Sequence, residues 1–317
     1  MGFSIRKLKD NGLNLIRLID ERSGAEADVL PSYGALLHAF RIQTADSLFN
    51  VIDNYENLDQ LQSQLDRSYK SSKLSPFPCR LKKARYSHAG KSYEFMNKFP
   101  DGSAIHGLLY NKSFSLEEEK AGDESASIKL SYDYQEDDKG YPFDYRCEVT
   151  YSLYPEEILQ VETTVINKSD VEIPVADGWH PYFSLGGTVD EWLMHFTISA
   201  IIESDAGLIP TGRLLDYEEF KVPMTIGHRF LDNCFLVRFE KDLPACEIFN
   251  PFNKLKVSFF PDASYPYLQI YTPPHRKSIA IENLSAAPDS FNNKMGLTLL
   301  KPGDSQSFAL QYKLSMV

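Results

Sequence analysis

Alternation of apolar and polar residues with a period of two runs through most of the chain and predicts strands. Ile128, Leu130, Tyr132 and Tyr134 follow it, as do Val149, Tyr151 and Leu153. After the turn Pro155-Glu156-Glu157 it resumes at Leu159, Val161, Thr163 and Val165, and it returns at Phe308, Leu310, Tyr312 and Leu314. Short turns between such runs specify antiparallel pairing. Shorter apolar runs over residues 13–19, 27–30, 196–202, 236–239, 245–249, 255–260, 267–271 and 278–282 predict further strands, and another ends at Ile42.

One stretch breaks the rule. Over residues 55–69, Leu58, Leu61, Leu65 and Tyr69 recur at three- and four-residue steps beside Glu56, Asp59, Gln62 and Asp66, which predicts an amphipathic helix with Asn54 as N-cap. The helix reads as a packing element that covers one opening of a β domain. The acidic residues 117–124 read as a solvated loop.

The expected fold is therefore all-β, a sandwich of mostly antiparallel sheets with one or two short covering helices. The chain of 317 residues is 43% hydrophobic, enough to fill a single domain over residues 1–317. A net charge of -11 argues against nucleic acid or an anionic membrane as partner, because such a chain gains little by neutralising phosphates. A small neutral ligand fits better. Cys79, Cys147, Cys234 and Cys246 are scattered, without metal-ligand spacing, and read as free buried thiols in a reducing compartment. Charges at Arg6, Lys7, Lys9 and Asp10 occupy the place of a signal peptide's apolar region, so a cytoplasmic protein is expected.

Candidate chemistry gathers in a few places. His180 lies in Asp177-Gly178-Trp179-His180-Pro181-Tyr182-Phe183, where Pro181 removes a donor and should interrupt the sheet ladder. Alone, it reads as a buried, hydrogen-bonded structural histidine rather than a catalyst; Asp177 is a carboxylate that could raise its pKa. Arg80 ends the proline-stiffened Pro76-Phe77-Pro78-Cys79-Arg80, and His106 precedes Gly107, which allows close approach. Asp232 stands at a strand entrance, either facing a ligand or closing an Asx-turn. Glu282 shares a strand face with Ser278 and Ala280, so it meets either a cleft or a buried ion-pair partner.

Taken in order, Pro76-Phe77-Pro78-Cys79-Arg80, His106-Gly107, His180-Pro181-Tyr182-Phe183 with Leu185, Leu231-Asp232, and Glu282 with Ala287-Pro288 and Phe291-Asn292 resemble the aldose 1-epimerase (galactose mutarotase-like) family. The resemblance implies a β-supersandwich with a sugar cleft and a cofactor-free interconversion of the anomers of an aldohexose. It implies His180 as general acid, Glu282 as general base, and Arg80, His106 and Asp232 as substrate-binding residues, in a monomer or homodimer. The sequence departs from the family's commoner pattern at His106-Gly107-Leu108 and at Glu282-Asn283-Leu284-Ser285-Ala286, which bear on the cleft wall and so on the sugar preferred. Alternatives are a hexose-6-phosphate mutarotase, with Arg85, Arg146, Arg276 or Lys277 as a cationic clamp, a non-catalytic carbohydrate-binding protein, and a glycoside hydrolase, which would call for paired carboxylates.

Overall fold

The alternating runs pair as the pattern predicts. In the computed structural model, which describes residues 2–45, 47–240 and 242–317, they form three main antiparallel sheets of five, nine and eight strands. The first runs from Phe3–Asp10 through Leu13–Asp20, Glu26–Leu30 and Leu36–Gln43 to Leu48–Asn50 as a simple meander. The nine-stranded sheet has the strongest alternators at its centre, with Tyr145–Tyr154, Ile158–Asn167 and Ser305–Met316 side by side. In the eight-stranded sheet Asp232–Val237, Tyr267–Tyr271 and Ile279–Leu284 are neighbours, followed by Gly178–Trp179 and Lys73–Leu74.

The two larger sheets bury their apolar faces against each other. Phe183, which pairs with the eight-stranded sheet, meets Phe259 and Tyr312 of the nine-stranded sheet edge to face at 4.9 and 5.4 Å between ring centres. Trp179 meets Tyr151 across the same interface. All of these residues belong to one continuous hydrophobic core. The all-β sandwich is thus the fold observed.

Three expectations are corrected. The helix is Leu58–Ser68, and its N-cap is Asn57, whose side chain accepts from the Gln60 amide at 2.9 Å; Asn54 instead donates to the Leu37 carbonyl. Apolar spacing marked the right turn of chain, but a polar residue at each of positions 54 and 57 left the boundary ambiguous. Residues 115–121 form an edge strand, not a loop: charges on both faces protect an edge from further pairing, and they also erase the alternation by which a strand is recognised. Finally, Asp177 does not face His180. It is buried against Lys73, at 2.5 Å, and the Tyr265 hydroxyl, at 2.7 Å.

Pro181 has the effect expected of it. The chain pairs with Ile279–Leu284 before it, at Gly178, and again after it, at Tyr182 and Phe183; between them regular pairing lapses and the Ile281 amide donates to the Pro181 carbonyl at 3.3 Å. His180 occupies that break.

Candidate active site

A pocket of about 210 Å³ opens where the broken ladder faces the loops that follow the helix. Arg80, His106, His180, Asp232 and Glu282 all line it. They come from widely separated parts of the chain, and the backbone explains how each is held.

His180 is fixed through both of its backbone groups: its amide donates to the Ser72 carbonyl at 3.1 Å and its carbonyl accepts from the Ser71 amide at 2.8 Å. Its ring stacks on Tyr182 at 5.0 Å and meets His106 edge to face at 4.9 Å. Glu282 reaches the pocket from the middle of Ile279–Leu284, directly across from Gln269 on the next strand. Its Oε1 lies 3.3 Å from His180 Nε2. Both residues are nearly enclosed, at 2% exposure for Glu282 and 6% for His180.

Enclosure decides how that pair carries its proton. Burial pushes His180 down to about 4, since it disfavours the imidazolium. Burial, with the nearby Asp232 carboxylate adding to it, pushes Glu282 well above the ordinary carboxylate range. Burial therefore shifts both members toward their uncharged forms, neutral imidazole and protonated carboxyl. Glu282 Oε2 and His180 Nδ1 have no hydrogen-bond partner among the described residues. Unpartnered buried polar atoms at the wall of a pocket are a standing invitation to a hydroxyl-bearing ligand.

The other three residues surround the pair. Arg80 is tied to Asp101 at 2.8 Å and lies over the Phe99 ring, while its carbonyl accepts from Asp289 in the loop after Glu282. His106 has a left-handed backbone, φ 59°, of the kind kept at functional sites at a cost of about 1–3 kcal/mol. Gly107 beside it admits no side chain, because a Cβ there would lie 2.2 Å from the Ser75 carbonyl oxygen. Burial first, then the neighbouring His180 and Arg80, lower the His106 pKa well below its ordinary value. Asp232 is the first residue of its strand, and its Oδ1 accepts from Gln269 Nε2 at 2.9 Å rather than closing an Asx-turn. Burial raises its pKa against the opposing effects of Arg80 and Gln269.

Among the lining residues that sequence reasoning did not single out, three touch the predicted set. Gln269 carried a signal, a lone amide in the apolar strand Tyr267–Tyr271. Tyr182 also lay in plain view beside His180, but its role as a ring stacked on the imidazole depends on the strand break. Tyr69 gave none: the helical pattern marks it as core, yet it sits at the helix C-cap, where its ring packs 4.7 Å from that of His106 and lines the pocket with Arg67 and Ser68. The helix is thus more than a cover.

The chain resembles known proteins over nearly all of its length. The sequence profile of the aldose 1-epimerase family matches residues 15–313. The Escherichia coli K12 protein YihR is 29% identical over 238 residues, which span 73% of this chain and 74% of that protein. Among solved structures, a galactose mutarotase-like protein of Clostridium acetobutylicum superposes with a TM-score of 0.87 at 18% identity, over 99% of this chain and 98% of the other. Galactose 1-epimerase from Lactobacillus acidophilus superposes with a TM-score of 0.81 at 17% identity, over 99% and 98%. At such identities the structural likeness speaks for the fold. Among the described residues no helix is long and apolar enough to cross a membrane.

Proposed function

The chain belongs to the aldose 1-epimerase family and is an isomerase, and from that premise we propose that it interconverts the anomers of a free aldohexose with His180 and Glu282 as its acid and base. The observation that carries this reading is the 3.3 Å contact between His180 Nε2 and Glu282 Oε1 at the wall of a pocket sized for one small ligand.

The pair holds one proton, and moving it from Oε1 to Nε2 gives imidazolium and carboxylate without changing net charge. In that form Nε2–H protonates the ring oxygen of the bound pyranose as its bond to C1 breaks. The carboxylate takes the proton of the anomeric hydroxyl as the C1 carbonyl forms. Neutral imidazole and protonated carboxyl remain, the form that burial favours. The site's electrostatics therefore match the open-chain aldehyde, and differential stabilisation of that kind is where catalysis arises. Rotation about C1–C2 presents the other face of the carbonyl. Reclosure returns each proton along its path, so atoms and charges balance and no cofactor takes part.

Arg80, His106 and Asp232 are assigned to the sugar's hydroxyls. Arg80 and neutral His106 can donate; Asp232, anchored by Gln269, accepts. An uncharged hexose suits the surroundings better than a 6-phosphate. The cations considered for a phosphate clamp are engaged elsewhere: Arg85 with Glu94, Arg146 with Glu117, Asp133 and Glu148, and Arg276 with Asp190. Lys277 lines a separate cleft. Arg67 stands at the exposed rim.

Polarimetry of freshly dissolved α-D-glucose and α-D-galactose tests the proposal. Wild-type protein should speed relaxation, and His180→Asn and Glu282→Gln should each lower kcat by about 10²–10⁴-fold. Relaxation left unchanged by the wild type with every common aldose would reject the assignment, as would full activity in both variants.

A further inference from the structure

Behind the His180 backbone lies an enclosed charged cluster that the proposed chemistry does not use. Lys73 and Asp177 are both without solvent exposure and meet at 2.5 Å. Lys73 directs its ammonium at three successive residues: Asp177 Oδ1, the Gly178 carbonyl at 3.1 Å, and the face of Trp179, 4.4 Å from the ring centre. The Tyr265 hydroxyl donates to the same Asp177 Oδ1. Asp177 Oδ2 has no hydrogen-bond partner among the described residues.

A buried ion pair with an unsatisfied oxygen is a poor source of stability, because apolar residues of similar volume in its place are often neutral or better. Its value lies in what it connects. On one side, the residues just before Lys73 hold His180: Ser71 donates to the His180 carbonyl and Ser72 accepts from its amide. Lys73 itself pairs with Trp179, and Leu74 with Gly178. On the other side, Asp177 is joined twice to Ser285, its amide donating to Ser285 Oγ at 2.7 Å and its carbonyl accepting from the Ser285 amide at 2.8 Å. Ser285 lies three residues beyond Glu282, and Gly178 pairs with Leu284 in between. The ion pair thus ties the strand Lys73–Leu74, whose preceding residues hold His180, to Asp177, whose backbone holds the end of the Glu282 strand.

We propose that Lys73 and Asp177 are positioning residues which, through the backbone, set the separation of His180 Nε2 from Glu282 Oε1; this rests on the acid and base reading above. Neither touches the sugar. Their effect is on the alignment of the proton-transfer pair, for which a misplacement of about 1 Å lowers turnover by about 100-fold.

The decisive variant is the double substitution Lys73→Met/Asp177→Asn. It leaves no uncompensated buried charge, which either single change would, and it keeps an acceptor for Tyr265. The expected result is a folded protein with nearly unchanged sugar affinity by calorimetry and kcat lower by about 100-fold. In the sugar-free protein, the His180 imidazole followed by NMR should titrate closer to its ordinary value of about 6.5. A folded double variant with wild-type kcat and wild-type His180 titration overturns the proposal, whatever its melting temperature. Should the double variant not fold, Ser285→Ala removes one link to the Glu282 strand and keeps the ion pair. It should move kcat and the titration in the same direction by about tenfold or less, and wild-type values for both overturn the proposal again. The titration needs no substrate, so it still decides the matter if the wild type proves inactive on sugars.

Discussion

Glu282 is the residue on which function and stability pull hardest against each other. Its carboxyl is buried and its pKa raised well above the ordinary range, so it contributes to stability where both folded and unfolded chains hold the proton. That contribution is fully present below about pH 4.3, the unfolded value, and is lost as pH rises toward the folded value, at about 1.4 kcal/mol per pH unit. His180 has the opposite sign. Its depressed pKa leaves its contribution intact above about pH 6.5 and removes it as pH falls toward about 4. Glu282→Gln keeps the His180 behaviour and deletes the first. Melting curves across pH should show the variant gaining on the wild type as pH rises from 5 toward neutrality, by about 1–3 kcal/mol. A constant difference across that range would mean that Glu282 is not held protonated. At this scale the sequence was informative about which residues meet, since Arg80, His106, His180, Asp232 and Glu282 do line one pocket. It was silent about the environment of each, because burial is a property of the packed molecule. Asp177 illustrates the limit: three residues from His180 in the chain, it faces the other way because strand neighbours alternate and Lys73 claims it.

The helix Leu58–Ser68 shows the same division among elements. Its apolar face was legible from the spacing of Leu61 and Leu65, both buried. Its ends were not, because Asn54 and Asn57 are equally good caps in isolation and only the surrounding backbone selects between them. The selected cap matters for the site, since the opposite end of the helix delivers Tyr69 to His106. Asn57→Ala should cost about 1 kcal/mol, seen as a lower urea midpoint with unchanged slope. A null result would place the start of the helix elsewhere. Strands with a long apolar face were recognised, but the short Leu193–Phe196 and the largely exposed Phe3–Asp10 were not, and the run read at 236–239 is the strand Asp232–Val237. The edge strand Ser115–Ala121, half-buried only at Leu116, was not recognised either, because a strand without an apolar face has no periodic signature. The break between Gly178–Trp179 and Tyr182–Phe183 was foreseeable from Pro181 alone, one of the few local features whose structural effect does not depend on context.

For the molecule as a whole, the net charge of -11 sets the terms on which ligands arrive. A neutral sugar is neither drawn in nor repelled, so wild-type relaxation of glucose should be insensitive to ionic strength. Glucose 6-phosphate meets an unfavourable field and a pocket without a dedicated clamp. Its kcat/KM should be lower by about tenfold or more and should rise with added salt, which screens the repulsion. Both are read by polarimetry at low and high salt, and faster turnover of the phosphate would overturn the preference for a neutral sugar. The sandwich itself could be argued from alternation, but the pairing order of its strands could not. Tyr267–Tyr271 and Ile279–Leu284 read as neighbours because a short loop joins them; Gly178 beside Leu284, a hundred residues on, required the folded chain.

The interruption at His180 has one more consequence. Acid and base both project from a sheet whose strands are fixed on either side, rather than from a loop that could fold over a ligand and commit it. Such a slot receives either anomer and lets either go, so each is at once substrate, product and competitor for the same space. On the proposed mechanism a progress curve should slow well before equilibrium as the new anomer accumulates, and the enzyme's biological use must be to hasten an exchange whose balance it has no means to tilt.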